Sequence, residues 1–414
     1  MAHVQKWLSV IGIGEDGLSG LSAIAHSILQ NAEVIVGGSR HLAMLPADDM
    51  REKITWSSPI SISIEEILRR RGQSVCVLAS GDPMCFGIGV TLRRSIPMTE
   101  MTIIPTPSSF SLACAKLGWS LTEVETLSLN ARPPALLQSM IYAGARLLIL
   151  SEGKQTPTIV ADILTKRGFG GSKIKVLERM GGSQERIIEG TAASWITTEI
   201  AELNTIAVEC IADPGVVGLS RLAGLPDDVY HHDGQLTKRE VRAITLAALA
   251  PVPGQLLWDV GAGCGSIGIE WMRTHSRCRA IAIEQNLTRL QYIADNATAL
   301  GTPNLQIVHG KVPTALKDLP QPDAIFIGGG ATAAGLFEVC WQALRSGGRL
   351  VANAVTIESE QKLLQWQNQV GGELMRVAVQ RVAPIGGFLG WKPMTPVTQW
   401  VVVKFEQQSV FGQN

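Results

Sequence analysis

A chain of 414 residues is too long for one ordinary core, so two domains of roughly 200 residues each are expected. Hydrophobic residues make up 46% and charged residues 17%, and 36 basic side chains balance 36 acidic ones, which leaves no electrostatic footprint for a nucleic-acid partner. The N-terminal run MAHVQKWLSVIGIG lacks the regions of a secretory signal, and no apolar run approaches the roughly 18 residues of a membrane span, so a cytoplasmic protein with no membrane partner is expected.

In chain order, the first half reads as strands WLSVIGIG, EVIVGG, VCVLA, MTIIP, LLIL, IKVLERM and TIAVEC. Helical runs such as LSAIAHSILQ, SISIEEILRRR, SSFSLACAKLG and TPTIVADILTKRG separate them, and no tandem copy is visible. The loops after the strands, at 11–22, 79–89, 105–111, 128–134 and 151–157, are rich in glycine, serine or proline and form one candidate rim. Residues 212–234, ADPGVVGLSRLAGLPDDVYHHDG, have proline and glycine punctuation without periodicity and read as a connector. The expected division is 1–212, a linker at 213–236, and 237–414. His231 and His232 fall in that linker and point opposite ways on an extended segment. The seven cysteines stand singly, without C-x-x-C spacing, as reduced core thiols, and no metal is expected.

From residue 237 the pattern alternates as a parallel α/β series: helix 237–250, strand 255–260, helix 265–275, strand 279–284, helix 286–301, strand 304–309 and strand 323–328. Helix 332–346, strand 349–355, helix 357–370 and two last strand runs near 374–383 and 397–405 follow, the final pair antiparallel at the sheet edge. Within this series LLWDVGAGCGSIGIEWMRTHSRCRAIAIE is a nucleotide-binding unit. Gly261, Gly263 and Gly265, with Ala262 and Cys264 between them, let the backbone approach a ligand, and Glu284 at the next strand end is placed to accept ribose hydroxyls. GCGSIG also satisfies a dinucleotide fingerprint, so an NAD-dependent oxidoreductase competes. Asp259, two residues before the first glycine, would crowd a diphosphate and suits a cationic sulfonium. D-x-G-x-G-x-G with a ribose acid is the pattern of seven-stranded methyltransferases that use S-adenosylmethionine.

IGIGEDG, SGDP, TPSSFSLACAKLGW, the TP-initiated helix and ERMGGSQERIIEG together resemble the tetrapyrrole methylase family over nearly all of residues 5–212. DGQLTKREVRAITLAAL followed by WDVGAGCGSIGIEW resembles the class I methyltransferase family that methylates and decarboxylates a corrin precursor. The resemblance implies an α/β chain with an N-terminal two-lobed tetrapyrrole methylase fold and a C-terminal seven-stranded Rossmann-like class I methyltransferase. It further implies two S-adenosylmethionine sites per chain, a tetrapyrrole substrate, with or without cobalt, and a homo-oligomer. The N-terminal half would methylate carbon 5, and the C-terminal half carbon 15 with loss of the ring C acetate carboxylate, in cobalamin biosynthesis. An RNA methyltransferase is the second alternative, opposed by the absence of basic runs; a half that binds cofactor only to stabilise the other is a third.

In the first half the resemblance puts Gly12, Gly14, Gly81, Asp82, Ser108 and Ser109 against the cofactor, and Asp82 and Arg132 at the chemistry. Asp82 in SGDP also suits an Asp-Pro turn, and Ser108 and Ser109 suit a helix cap. SLNARPP has Asn130 and Ala131 where the family usually has a His-Gly pair. In the second half Gly261 to Gly265 would enclose the methionine portion, Glu284 the ribose and Val312 the adenine, joined by Thr237. Thr237 and Glu240 also read as a capping box. Lys238, Arg239 and Arg242 are expected to hold substrate carboxylates, or else to form a solvated helix face. No nucleophile is expected, because methyl transfer from a sulfonium needs alignment above all.

Overall fold

The computed structural model describes residues 6–196 and 199–405; the first five residues of the run read for a leader lie outside them. Two compact units result, Met1–Pro134 with Tyr142–Val217, and Ala135–Ile141 with Gly218–Asn414.

The first unit opens with β1 (Leu8–Ile13), α1 (Ala23–Gln30), β2 (Val34–Gly37), α2 (Ser39–Leu42), β3 (Glu52–Thr55), α3 (Ile60–Leu68), β4 (Val75–Ser80), α4 (Ile88–Leu92) and β5 (Met101–Ile104). These strands form a parallel sheet ordered β3-β2-β4-β1-β5. Its central strands are near-continuous apolar runs because both faces are covered. A second sheet uses the elements after α5 (Ser109–Leu117): β6 (Glu125–Ser128), β7 (Arg146–Leu150), β8 (Lys173–Glu178), β9 (Arg186–Thr191) and β10 (Asn204–Glu209), with α6 (Thr156–Lys166) between β7 and β8. Its order is β6-β7-β10-β8-β9, parallel at β6-β7 and antiparallel elsewhere. β3, β6 and β9 are not among the strands expected from the sequence. All three are edge strands. EKIT and RIIEGT are largely exposed and present no apolar run.

The second unit contains α7 (Arg239–Leu249), β11 (Leu256–Val260), α8 (Ser266–Thr274), β12 (Arg279–Glu284), α9 (Leu287–Ala299), β13 (Gln306–His309), β14 (Ala324–Ile327), α10 (Leu336–Ala343), β15 (Arg349–Ala354), α11 (Ile357–Val370), β16 (Glu373–Val377), β17 (Gln380–Ile385), β18 (Phe388–Pro393) and β19 (Val397–Val403). Seven strands form one sheet ordered β13-β12-β11-β14-β15-β19-β16. β19 is antiparallel to both its neighbours, so β16 at the edge runs parallel to β15. The run expected as one strand near 374–383 is two. Its pairing with β19 ends at the Val377–Val397 rung, and the chain beyond forms a separate hairpin, β17 with β18. One face of the sheet carries an aromatic cluster in which Phe337 stacks on Trp366 with centroids 5.2 Å apart, and Trp400 closes against both.

The stretch expected as a linker, 213–236, is divided between the units at Gly218. Leu225, Tyr230 and Leu236 are buried in the second unit's core. The Glu270 carboxylate accepts hydrogen bonds from Gly224 N (2.6 Å), Leu225 N (3.1 Å) and Tyr230 Oη (2.9 Å), and it pairs with Arg242 Nε at 2.6 Å. Residues 218–236 are therefore a tethered part of the second unit. Their apolar contacts are spaced irregularly, which hides them from any periodic pattern.

Candidate active sites

In the second unit β11 lies at the middle of the parallel run, where the loops leaving strand ends converge over a crevice. Gly261, Gly263 and Gly265 have φ of +70°, +60° and +81°, a region that disfavours any other L residue. At Gly261 a Cβ would also stand 2.7 Å from the backbone of Gly329, in the loop after β14. Gly261, Ala262, Gly263 and Cys264 line a cavity of about 1140 Å³, with Thr237, Lys238, Val312 and Glu284. Gly265 does not line it; it caps α8, and its Cβ would press on Ile293 at 3.1 Å.

Glu284 is 5% exposed, and its orientation is fixed by backbone. Oε1 accepts from Gln285 N and Asn286 N, and Oε2 accepts from Gly263 N, all at 2.9 Å. A carboxylate offers about four acceptor sites, so one remains, on Oε2. Both ribose hydroxyls expected at Glu284 would need two such sites.

Asp259 takes no part in the cavity wall. It is fully buried, Oδ2 accepts from Gly268 N at 2.9 Å, and Oδ1 has no partner. Burial, assisted by the Glu284 charge, pushes its carboxyl up to about 7. Asp259, expected to favour a sulfonium over a diphosphate, is therefore too deep to meet either. The capping box also fails. Lys238 is the residue before α7, no side chain caps the helix, and Glu240 pairs with Arg381 at 2.5 Å and so does not reach back to Thr237.

The three expected carboxylate binders separate. Lys238 lines the cavity and has no ion-pair partner among the described residues. Arg239 lies outside the lining and pairs with Glu240 at 3.4 Å. Arg242 is fully buried between Glu270 and Asp227, so it is a core ion pair and cannot meet substrate. The glycines Gly328 to Gly330, Asn353 and Lys311 also line the cavity and were not anticipated, although a glycine triplet after a strand carries the same signal as the first loop.

In the first unit the loops after β1, β4 and β5 are stitched together by backbone. Gly81 N donates to Ile13 O (3.1 Å), and Thr106 N (3.3 Å) and Oγ1 (3.0 Å) donate to Gly81 O. Gly12 makes this possible, since a Cβ there would lie 1.9 Å from Gly81 O; it sits behind the wall and does not line the cavity. Gly14, Gly81, Asp82, Ser108, Ser109 and Asn130 do line that cavity, of about 430 Å³. Asp82 Oδ1 accepts from Met84 N at 2.8 Å, so the Asp-Pro turn and a place on the wall coexist. Ser108 caps α5 by accepting from Ser111 N at 3.1 Å. Arg132 does not line the cavity; its guanidinium lies 5.0 Å above the ring of Phe86, which does. Ala131 has φ +52°, the left-handed conformation for which the family pattern uses glycine.

A charged group on this wall escaped the pattern reading. Arg40 pairs with Glu15 and donates to His41 Nε2 (2.8 Å) and Ser80 Oγ (2.9 Å). Because a guanidinium only donates, Nε2 is the acceptor, and the imidazole is neutral. Burial and the Arg40 charge push His41 down to about 4. GSRHL follows the strand EVIVGG, a strand-end loop the rim should have included.

Comparison with known proteins bears on both units. Residues 8–195 match the family described as Tetrapyrrole (Corrin/Porphyrin) Methylases, and residues 228–404 match the Precorrin methyltransferase domain. A Sinorhizobium sp protein named Precorrin-6Y C(5,15)-methyltransferase [decarboxylating] is 48% identical over 96% of this chain and 97% of its own length. A Mycobacterium tuberculosis protein of the same name is 43% identical over 95% of this chain and 99% of its own. The crystal structure of the C-terminal domain of precorrin-6Y C5,15-methyltransferase from Rhodobacter capsulatus matches 45% of this chain and 100% of its own, with 43% identity and a TM-score of 0.43. With such identity along nearly its whole length, the chain belongs to the precorrin-6Y C(5,15)-methyltransferase (decarboxylating) family.

Proposed function

We propose that this chain methylates a precorrin-6Y-type tetrapyrrole at carbons 5 and 15 and removes one carboxylate, with S-adenosylmethionine as methyl donor at two sites per chain. The observation that carries the two-site reading is that each unit has its own cavity where loops leave parallel strands, with a positive-φ glycine on the wall of each, Gly81 in the first unit and Gly261 and Gly263 in the second. The first unit takes carbon 5, and the second takes carbon 15 with the decarboxylation. Both cavities fall within or just above the size range of small-ligand sites.

The cofactor supplies an electrophilic methyl group on a sulfonium. In the second unit the side-chain-free loop at Gly261 and Gly263 makes room for it, Glu284 accepts one ribose hydroxyl, and Val312 offers an apolar wall for the adenine. Lys238 supplies an uncommitted cation for a carboxylate of the macrocycle. In the first unit Gly14, Gly81, Ser108 and Ser109 form the corresponding wall, with Asp82 held by its own turn. The chain's task is to align a ring carbon with the methyl and exclude water. For decarboxylation the conjugated macrocycle receives the electron pair of the broken carbon–carbon bond as carbon dioxide leaves, and the methylene left behind takes a proton from solvent to become a methyl group, while the protein holds the ring in place.

Incubation of the full chain with S-adenosylmethionine and either metal-free or cobalt-loaded precursor, read by mass, tests this. Gain of two methyl groups with loss of one carbon dioxide supports it. Failure with both precursors, alongside reduction of a carbonyl substrate by NADH, overturns it.

A further inference from the structure

The apolar strand β19, VTQWVVV, contains a glutamine in its fully buried middle. Gln399 pairs across the ladder with Asn353 of β15, and Nε2 donates to Asn353 Oδ1 at 2.9 Å and to Thr245 Oγ1 of α7 at 3.0 Å. Asn353 Nδ2 donates to the same hydroxyl at 2.9 Å. Thr245 and Gln399 are both 0% exposed, and Gln399 Oε1 has no hydrogen-bond partner. A valine or leucine would fill such a position without leaving a buried carbonyl unpaired. The network acts on Asn353, the one member of the three that lines the cavity.

The sheet order separates Asn353 from the cofactor wall. Glu284 ends β12, and β11 and β14 lie between β12 and β15, so the two positions are three strand spacings apart, about 14 Å. Val355 and Val397 line the same end of the cavity. Thr245 and Gln399 each take one side of the Asn353 carboxamide, which leaves one N–H and one carbonyl lone pair uncommitted.

We propose that Asn353 binds a peripheral carboxylate of the tetrapyrrole through its free Nδ2–H, and that Thr245 and Gln399 are positioning residues that fix the amide for that contact. This rests on the reading of the second unit as the site of the decarboxylating methylation. A neutral donor orients the carboxylate without neutralising it, and Lys238, at the start of α7, is the charged contact.

The test uses the full chain with S-adenosylmethionine and tetrapyrrole precursor, counting methyl groups and carbon dioxide separately, with S-adenosylhomocysteine titration as the binding control. Asn353→Ala is expected to raise KM for the second unit's reaction at least about tenfold while cofactor affinity and the other methylation persist. Asn353→Asp is expected to be worse, because it sets charge against charge. Thr245→Val is expected to lower kcat/KM without loss of cofactor binding, and Thr245→Ser, which keeps the hydroxyl, to recover most of it. Gln399→Leu is expected to keep or raise the melting temperature and still impair turnover. Wild-type KM in Asn353→Ala, improvement in Asn353→Asp, equal activity of Thr245→Val and Thr245→Ser, or loss of cofactor binding with Asn353→Ala each overturn the proposal. A wild-type chain that yields no methylated product instead overturns the reading on which it rests.

Discussion

Changing Glu284 to Gln tests the second cofactor site with a nearly constant shape. Three backbone N–H groups fix the carboxylate, two on Oε1 and one on Oε2. A Gln side chain has one NH2, which must face either Gln285 N–H and Asn286 N–H or Gly263 N–H alone. The second orientation sets one donor against it instead of two, so the amide nitrogen takes the Oε2 position, where the ribose hydroxyl also binds. The variant thus loses the Gly263 bond and turns the charged acceptor into a donor. A hydrogen bond to a charged group is worth roughly 1.5 to 3 kcal/mol, so affinity falls roughly tenfold to somewhat over a hundredfold. Loss of the Gly263 bond to the charged carboxylate costs folding roughly 1.5 to 3 kcal/mol, a fraction of a domain's stability of about 5 to 15 kcal/mol, so the fold is expected to persist. Calorimetric titration of the full chain with S-adenosylhomocysteine is expected to show two classes of site, with one weakened in Glu284→Gln and the other unchanged. Wild-type affinity at both, or equal weakening of both, refutes the reasoning.

Arg242→Met leaves the Glu270 carboxylate buried without its partner and is expected to lower the second unit's stability by about 3 to 5 kcal/mol in denaturant unfolding; unchanged stability with weaker tetrapyrrole binding would restore Arg242 as a substrate contact. Ala131→Gly relieves a left-handed alanine, a strain of about 1 to 2 kcal/mol, against about 0.4 to 1 kcal/mol of added chain entropy, so the first unit is expected to gain up to about 1.6 kcal/mol. Lower thermal stability in that variant would contradict it. The Asp259 carboxyl lies at about 7 in the folded chain against 3.8 ordinarily, so the fold binds the proton more tightly than the unfolded chain does. Its contribution is complete below 3.8 and is lost as pH rises toward 7 and past it. Thermal unfolding across this range is expected to be flatter in Asp259→Asn than in the wild type, and parallel curves would exclude Asp259 as the source.

The sequence exposed those parts of the fold whose periodicity is set by burial. β1, β4, β11 and β12 are covered on both faces and appear as mainly apolar runs, whereas the edge strands β3, β6 and β9 leave no such trace. The glycine loop and Glu284 were legible because a positive φ and a strand-end acid need particular residue types. What escaped depends on contacts between distant residues. Arg242 sits beside Lys238 and Arg239 in sequence, yet its partner Glu270 is 28 residues on, in α8, and only the packing of α7 against α8 turns a surface-like cation into a core one. Gln399 and Thr245 are 154 residues apart, so no local pattern pairs them. Asp259 misled for the same reason: its place in the motif was right, but its depth is set by the neighbouring strands.

The central claim is that one chain holds two methylating sites and that the decarboxylation belongs to the second. Mass analysis of tetrapyrrole products from the wild type and from Glu284→Gln, at an S-adenosylmethionine concentration that saturates the wild-type sites but not the weakened one, measures this directly. The wild type is expected to add two methyl groups and release one carbon dioxide, and the variant to fall short by one methyl group and the carbon dioxide together. Two methyl groups gained and carbon dioxide lost at the wild-type rate in Glu284→Gln would contradict it.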